Sequence, residues 1–207
     1  MSTASRRILR YGLVREALLA LCLCAAVEAA EPSSPTAAVK LTVGAVIGIL
    51  TDEALAGTDQ QERRRQMLET TVGRRFDYRE ISRRAVGRQW KRISESERRE
   101  FVALFQVFLA GRYADRIEGY ANEEVQYLGE RRENGYAEVQ TKLVSDKVDL
   151  PIDYRLFFKS GDWFVYDVVI NGVSLVKNYR SQFRAIMHKS SYTELVRRLQ
   201  EKTIAEP

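Results

Sequence analysis

The stretch Gly161–Phe183, GDWFVYDVVINGVSLVKNYRSQF, restricts the folds open to this chain more than any other. Its first half alternates as a strand does, with Trp163, Val165 and Val169 on one face and Phe164, Tyr166, Val168 and Ile170 on the other. Both faces are apolar, which predicts a central strand covered on both sides. Asn171-Gly172 breaks the strand, and Val173, Val176, Tyr179 and Phe183 then recur at helical spacing. A strand and a helix therefore meet at a corner lined by large apolar groups, with Asp167 as the strand's one charged residue. The expectation is a shaped apolar surface rather than a reactive centre.

The first 29 residues read as an export signal. Arg6, Arg7, Arg10 and Arg15 form a basic region, Ala17 to Ala26 an apolar run, and Val27-Glu28-Ala29 a small-residue cleavage site. The apolar run is shorter than the roughly 20 residues needed to span a bilayer. The two cysteines, Cys22 and Cys24, lie inside this segment and follow Leu21 and Leu23, where a lipid-attachment signal wants a small residue. Cleavage near Ala29 leaves an exported mature chain without disulfide or thiolate chemistry. It also leaves 29 basic against 26 acidic residues, too mild an excess for a nucleic-acid partner.

The 207 residues, 45% of them hydrophobic, suffice for one core after trimming. Residues 30–38, with Pro32, Ser33, Ser34 and Pro35, read as a flexible mature N-terminus, and 39–202 as a single domain. Helices are predicted over 39–55, over 60–72 with the basic run Arg63-Arg64-Arg65, and over 78–86 behind an Asp77 cap. The basic run is either a solvated face or a dock for an acidic partner. Ser94 with Glu97 is a capping box opening a helix from Glu95 to about Tyr120, striped by Phe101, Leu104, Phe105, Phe108, Leu109, Tyr113 and Ile117.

Beyond Asn122 the apolar period falls from about 3.6 to 2. Strands are predicted at 125–128, 136–144, 150–159 and 163–170, the first two joined by a turn at Glu133-Asn134-Gly135. Helices at 173–189 and after Ser191 close the chain. The fold class is α+β: an antiparallel four-stranded meander with N-terminal and C-terminal helices packed on it.

Little catalytic chemistry is present. His188 is the sole histidine and sits near a helix end among polar residues. With no mature cysteine it leaves no usual transition-metal set, and no phosphate loop or nucleophile elbow occurs, so no cofactor is expected. Asp167 admits two accounts: an acid or base in an aromatic pocket, or a buried carboxylate that accepts bonds from Arg, Tyr or backbone N–H groups and fixes the corner. The second is favoured, because no other carboxylate lies at short spacing. The aromatic residues read first as core; alternatively, rings that fail to interdigitate leave a dry gap that takes apolar guests.

Asp162-Trp163, Val165-Tyr166-Asp167-Val168, Gly172-Val173-Ser174-Leu175-Val176 and Asn178-Tyr179-Arg180-Ser181-Gln182-Phe183 together resemble the C-terminal signature of the MlaC, or toluene-tolerance, family. Upstream, Phe76-Asp77-Tyr78, Ile81-Ser82-Arg83-Arg84-Ala85-Val86-Gly87, Trp90, and Ser94-Glu95-Ser96-Glu97 with Phe101 and Phe105 resemble its helical half, so the likeness runs from about Val39 to Lys202. The resemblance implies an exported, non-enzymatic carrier of phospholipid between the two membranes of diderm bacteria, its acyl tails in a cavity between sheet and helices. It further implies docking to an inner-membrane ABC transporter complex with its lipid-binding ring subunit and to an outer-membrane lipoprotein complex. A related branch that accompanies hopanoid synthesis stands as the alternative. Carried over by position, the cavity liners are Phe105, Leu109, Tyr113, Val139, Tyr154, Leu156, Val169, Val173, Val176 and Tyr179. Arg63, Arg64, Arg112 and Arg180 are head-group or partner contacts, or simply exposed arginines.

Overall fold

Three two-residue turns set the register of the sheet. Asn134-Gly135, Ser160-Gly161 and Asn171-Gly172 each place both residues at positive φ (48° and 77°, 52° and 86°, 48° and 79°). That is the type I′ geometry whose twist matches paired strands. In this computed structural model, which describes residues 34–146 and 149–205, they join β1 (Glu124–Glu133) to β2 (Tyr136–Val144), β3 (Asp149–Lys159) to β4 (Asp162–Ile170), and β4 to β5 (Val173–Ser174). The expected signal, its cleavage site near Ala29, and residues 30–33 lie outside the described residues.

The sheet is antiparallel throughout in the order β1-β2-β3-β4-β5, so the meander has a fifth, two-residue strand beyond the four expected. It arises because the turn at Asn171-Gly172 folds Val173 and Ser174 back onto β4, where Ile170 pairs with Val173 and Val169 with Ser174. The last long helix but one therefore starts at Leu175 rather than Val173. β1 is longer than its predicted core of 125–128, since Glu130–Glu133 pair with β2 although their charges hide the strand period.

Among the described residues six α-helices accompany the sheet: α1 (Pro35–Leu50), α2 (Gln61–Arg75), α3 (Tyr78–Val86), α4 (Glu95–Glu118), α5 (Leu175–Lys189) and α6 (Tyr192–Ala205). α1 begins four residues before the expected Val39: Ser34 caps it by accepting from the Ala37 N–H at 3.0 Å, and Pro35 fits the first turn. It stops at Leu50, and Glu53–Leu55 form a separate 3-10 turn. Both halves of the Ser94/Glu97 capping box are formed at the start of α4. Asp77 caps α3, and Gly87 ends it at φ 68°, where a Cβ would also meet the Arg180 guanidinium at 3.4 Å.

Three apolar clusters hold these elements. Rings of α4 and α5 build the helical one, where Phe105 meets Tyr179 and Phe183 edge-on at centroid distances of 5.3 and 5.2 Å. Ala38 and Val39 of α1 pack on Ala137, Val139, Leu156, Trp163 and Val165 of the sheet. Ile49, Leu55 and Leu68 form the third between α1 and α2. The Arg75 guanidinium pins α2 to the others: it donates to the Trp163 carbonyl and to Thr42 Oγ1, and pairs with Asp162 at 3.0 Å.

β4 departs from strict alternation. Arg155 pairs with Asp167 but Leu156 pairs with Val165, so Tyr166 is an extra, unpaired residue. Beyond this bulge the faces exchange. Val168 and Ile170, not Val169, lie on the side of Trp163 and Val165, which corrects the strict alternation expected from the sequence. Asp167 turns to the opposite side, where it is buried. There it accepts from the Val176 N–H at 3.0 Å and the Ser174 hydroxyl at 2.6 Å, and pairs with Arg155 at 3.2 Å. Ser174 in turn accepts from the Lys177 N–H, so a carboxylate and a hydroxyl together cap α5.

This predicts that Asp167→Asn lowers stability by about 2–4 kcal/mol, because one substitution weakens a helix cap and strips Arg155 of a buried partner. Glu138→Gln, on the exposed side of the same arginine, is expected to cost about 1 kcal/mol or less. Urea unfolding with unchanged slope measures both, and equal losses would remove Asp167 from its place as corner pin.

Candidate functional site: an apolar cavity between sheet and helices

Where the three clusters meet they leave a partly open cavity of about 400 Å³. The sheet contributes Val125 of β1, Thr141 and Leu143 of β2, Leu150, Ile152 and Tyr154 of β3, and Val168 and Ile170 of β4. These residues share one face because side chains alternate along β2 and β3 and because the Tyr166 bulge brings the end of β4 into step. Val43, Val46, Ile47 and Leu50 of α1 face them, with Leu68 and Val72 of α2 alongside. Leu109, Ala110, Tyr113, Ala114 and Ile117 of α4 form the third wall; Tyr78, Ile81 and Leu175 close the far end.

Most charged groups stand at the rim, while Thr141, Tyr154 and Asp167 are buried in or beside the wall. The buried Thr141 donates its hydroxyl to the Ile152 carbonyl at 2.5 Å. Burial pushes the Tyr154 phenol well above its ordinary pKa, and burial with the nearby Glu69 carboxylate pushes Tyr78 up to about 12. Both rings therefore stay neutral. The liners that are themselves exposed, Glu69, Arg116 and Gly119, mark where the cavity meets solvent. At this rim Glu118 pairs with Arg64 at 2.9 Å and with Arg65 at 3.5 Å, while Arg64 also donates to the Leu55 carbonyl. The cage ties α2 to α4 across the edge of the apolar space.

Of the residues named from the sequence, Leu109, Tyr113 and Tyr154 stand in the wall. Phe105, Val176 and Tyr179 pack inside the helical cluster, and Val139 and Leu156 inside the sheet cluster. Val169 is buried on the reverse side of the bulged strand, and Val173, in β5, is 61% exposed. Arg64 belongs to the rim cage, Arg180 lies against Gly87, and neither Arg63 nor Arg112 lines this cavity. The walls from α1 and α2 are absent from that set. The sequence does carry a sign of them: α1 has one charged residue, Lys40, in sixteen, and a helix apolar nearly all round demands cover on more than one side. Gly44 and Gly48 meet no other element among the described residues, so they do not serve close packing.

The arrangement can hold a flexible hydrocarbon and exclude water from it. Asp167 borders the space, but both its carboxylate oxygens are engaged at the corner of α5. The described residues contain no cluster of three or more His, Cys, Asp or Glu suited to a metal.

Comparison with known proteins places this geometry. A phospholipid-binding protein from Ralstonia solanacearum, solved in complex with a phospholipid, superposes with a TM-score of 0.74 at 25% identity, covering 85% of this chain and 98% of that one. The intermembrane phospholipid transport system binding protein MlaC of Haemophilus influenzae is 25% identical over 124 residues, which are 57% of this chain. The match spans 58% of that relative's length. The family model described as MlaC protein matches residues 40–201. That range runs through every helix and strand walling the cavity, and the chain belongs to the MlaC family.

Proposed function

We propose that this protein is a periplasmic carrier that takes the acyl chains of a phospholipid into the cavity and shuttles the lipid between the inner and outer membranes, helping to maintain outer-membrane lipid asymmetry. The observation that carries the reading is the cavity itself: about 400 Å³ walled mainly by aliphatic and aromatic side chains, with Asp167 the one buried charged group beside it and that carboxylate engaged at the corner of α5. The volume lies within the range of ordinary ligand sites, roughly 300–1,000 Å³. Each methylene moved from water into such a wall gains about 0.8 kcal/mol, so acyl chains supply affinity without a specific polar contact. The two relatives, one solved in complex with a phospholipid and the other a phospholipid transport system binding protein, support the same ligand class.

On this reading the cargo is loaded and unloaded at an inner-membrane ABC transporter complex with its lipid-binding ring subunit and at an outer-membrane lipoprotein complex. Residues 1–29 direct export and are removed near Ala29. The carrier performs no bond chemistry, and Asp167 serves the fold.

Protein purified from a diderm bacterium without detergent, extracted with organic solvent and examined by mass spectrometry, is expected to release phospholipid in near-stoichiometric amount. Repeated lipid-free preparations sink the carrier reading, and hopanoid in place of phospholipid reassigns the cargo. A second prediction separates cavity from core. Ala110→Trp, which projects an indole into the lipid space from α4, is expected to reduce co-purified lipid by about tenfold or more while the melting temperature falls only a few degrees. Val173→Trp, on the solvent side of β5, is expected to leave lipid content unchanged. Equal lipid retention by both variants contradicts the assigned wall.

A further inference from the structure

One wall of the cavity is held differently from the others. Val43, Val46, Ile47 and Leu50 of α1 line the space, yet every residue from Val43 to Leu50 is apolar, so no side chain in this stretch can form a hydrogen bond or an ion pair. Both of its ends are fixed. Upstream, Ala38 and Val39 are buried on the sheet, and Thr36 donates to the Glu130 carboxylate through its N–H at 2.8 Å and its hydroxyl at 2.6 Å. Downstream, Ile49 packs with Leu55 and Leu68. The neighbouring walls, α2 and α4, are instead tied to each other by the Arg64–Glu118–Arg65 cage. On the solvent side of the apolar stretch stand Gly44 and Gly48, one turn apart on the same face. Both are exposed, and among the described residues a Cβ at either would meet nothing within 4 Å. Neither is at positive φ, so neither close packing nor backbone geometry requires glycine. Relative to alanine, glycine shifts the helix equilibrium toward the unwound state by about fivefold at each such position and leaves the backbone open to water.

From this arrangement we infer that residues 43–48 of α1 are a strap, pinned at both ends, that bows outward at Gly44 and Gly48 to pass acyl chains and closes over them once they are seated. The inference rests on the carrier reading and adds to it the route by which hydrocarbon enters and leaves. Helices bend where water competes for the backbone bonds of the exposed side, and two glycines on that side lower the cost of bending there. Opening parts only apolar contacts, and the incoming chain restores them. No charged or hydrogen-bonded tie has to break, whereas displacing α2 from α4 would break the Glu118 cage. The strap therefore sets how fast lipid exchanges and leaves the affinity to the cavity wall.

The test follows a pyrene-labelled phospholipid by stopped-flow fluorescence, as it passes from loaded protein to unlabelled phosphatidylcholine vesicles and from labelled vesicles to delipidated protein. In Gly44→Ala/Gly48→Ala both rates are expected to fall by about tenfold or more, with Kd within twofold of the native value, because opening precedes release and uptake alike. Ala45→Gly, exposed on the same face and outside the cavity wall, is expected to raise both rates by about fivefold. A merely structural role for the two positions would raise the melting temperature of the double alanine variant and leave exchange alone. Rates within twofold of native in that stiffened variant, or a change in only one direction of transfer, overturn the strap and leave the carrier reading standing. Native protein that neither takes up nor delivers the labelled lipid overturns both.

Discussion

One extra residue in β4 decides which side chains see the cavity. Without the bulge at Tyr166, strict alternation would carry Asp167 and Val169 onto the face of Trp163 and Val165. The carboxylate would then enter an apolar space with no donor nearby, at a cost of several kcal/mol or a change of protonation. The bulge sends Val168 and Ile170 there instead, and delivers Asp167 to Ser174, Val176 and Arg155. The same slip thus makes the end of the sheet oily and anchors the helix that follows it. β5 and the turn at Asn171-Gly172 complete the arrangement by holding Ser174 within reach of the carboxylate.

The cavity persists because its three surrounding clusters are each satisfied without it. The large rings pack against one another in the helical cluster, Phe101, Phe105, Phe108, Tyr179 and Phe183 meeting mostly edge to face or tilted. Those rings are spent there; other rings, among them Tyr78, Tyr113 and Tyr154, stand in the cavity wall itself. Polar ties fix where α2 stands against its neighbours. Arg75 fixes one end of α2 to β4 and α1, and the Arg64–Glu118–Arg65 cage fixes the other to α4. The space between these two pins is walled mainly by branched aliphatic side chains, which cannot reach across it.

Much of the fold was legible because local chemistry and tertiary role coincide. The Ser94/Glu97 box, the Asp77 cap and the paired positive-φ turns specify their structures within four residues, with no help from the rest of the chain. β1 was shortened because an edge strand with charges on successive positions loses its period, and β5 was absorbed into a helix because two residues carry no period at all. The site was less legible for a related reason. A strand apolar on both faces gives no sign of a bulge, so Val169 stood for Val168. Leu109, Tyr113 and Tyr154 could be placed since regular alternation and helical spacing hold around them. Phe105 and Tyr179 obey the same spacing yet lie in the core: periodicity names the buried face of a helix but not whether that face meets protein or a void.

A void of this kind bears on how the molecule can exist at rest. At roughly 24 cal/mol per Å³, an empty dry space of about 400 Å³ would cost on the order of 10 kcal/mol. That equals the whole stability of a typical domain, roughly 5–15 kcal/mol. Water is a poor filling, because the wall offers almost no hydrogen-bond partners away from the rim. On the order of a dozen buried methylenes offset the same amount, fewer than one ordinary acyl chain contains. On the proposed carrier reading the folded state and its cargo are therefore coupled: the protein is most stable when loaded, and release becomes favourable only where another surface takes over the hydrocarbon as the protein lets go.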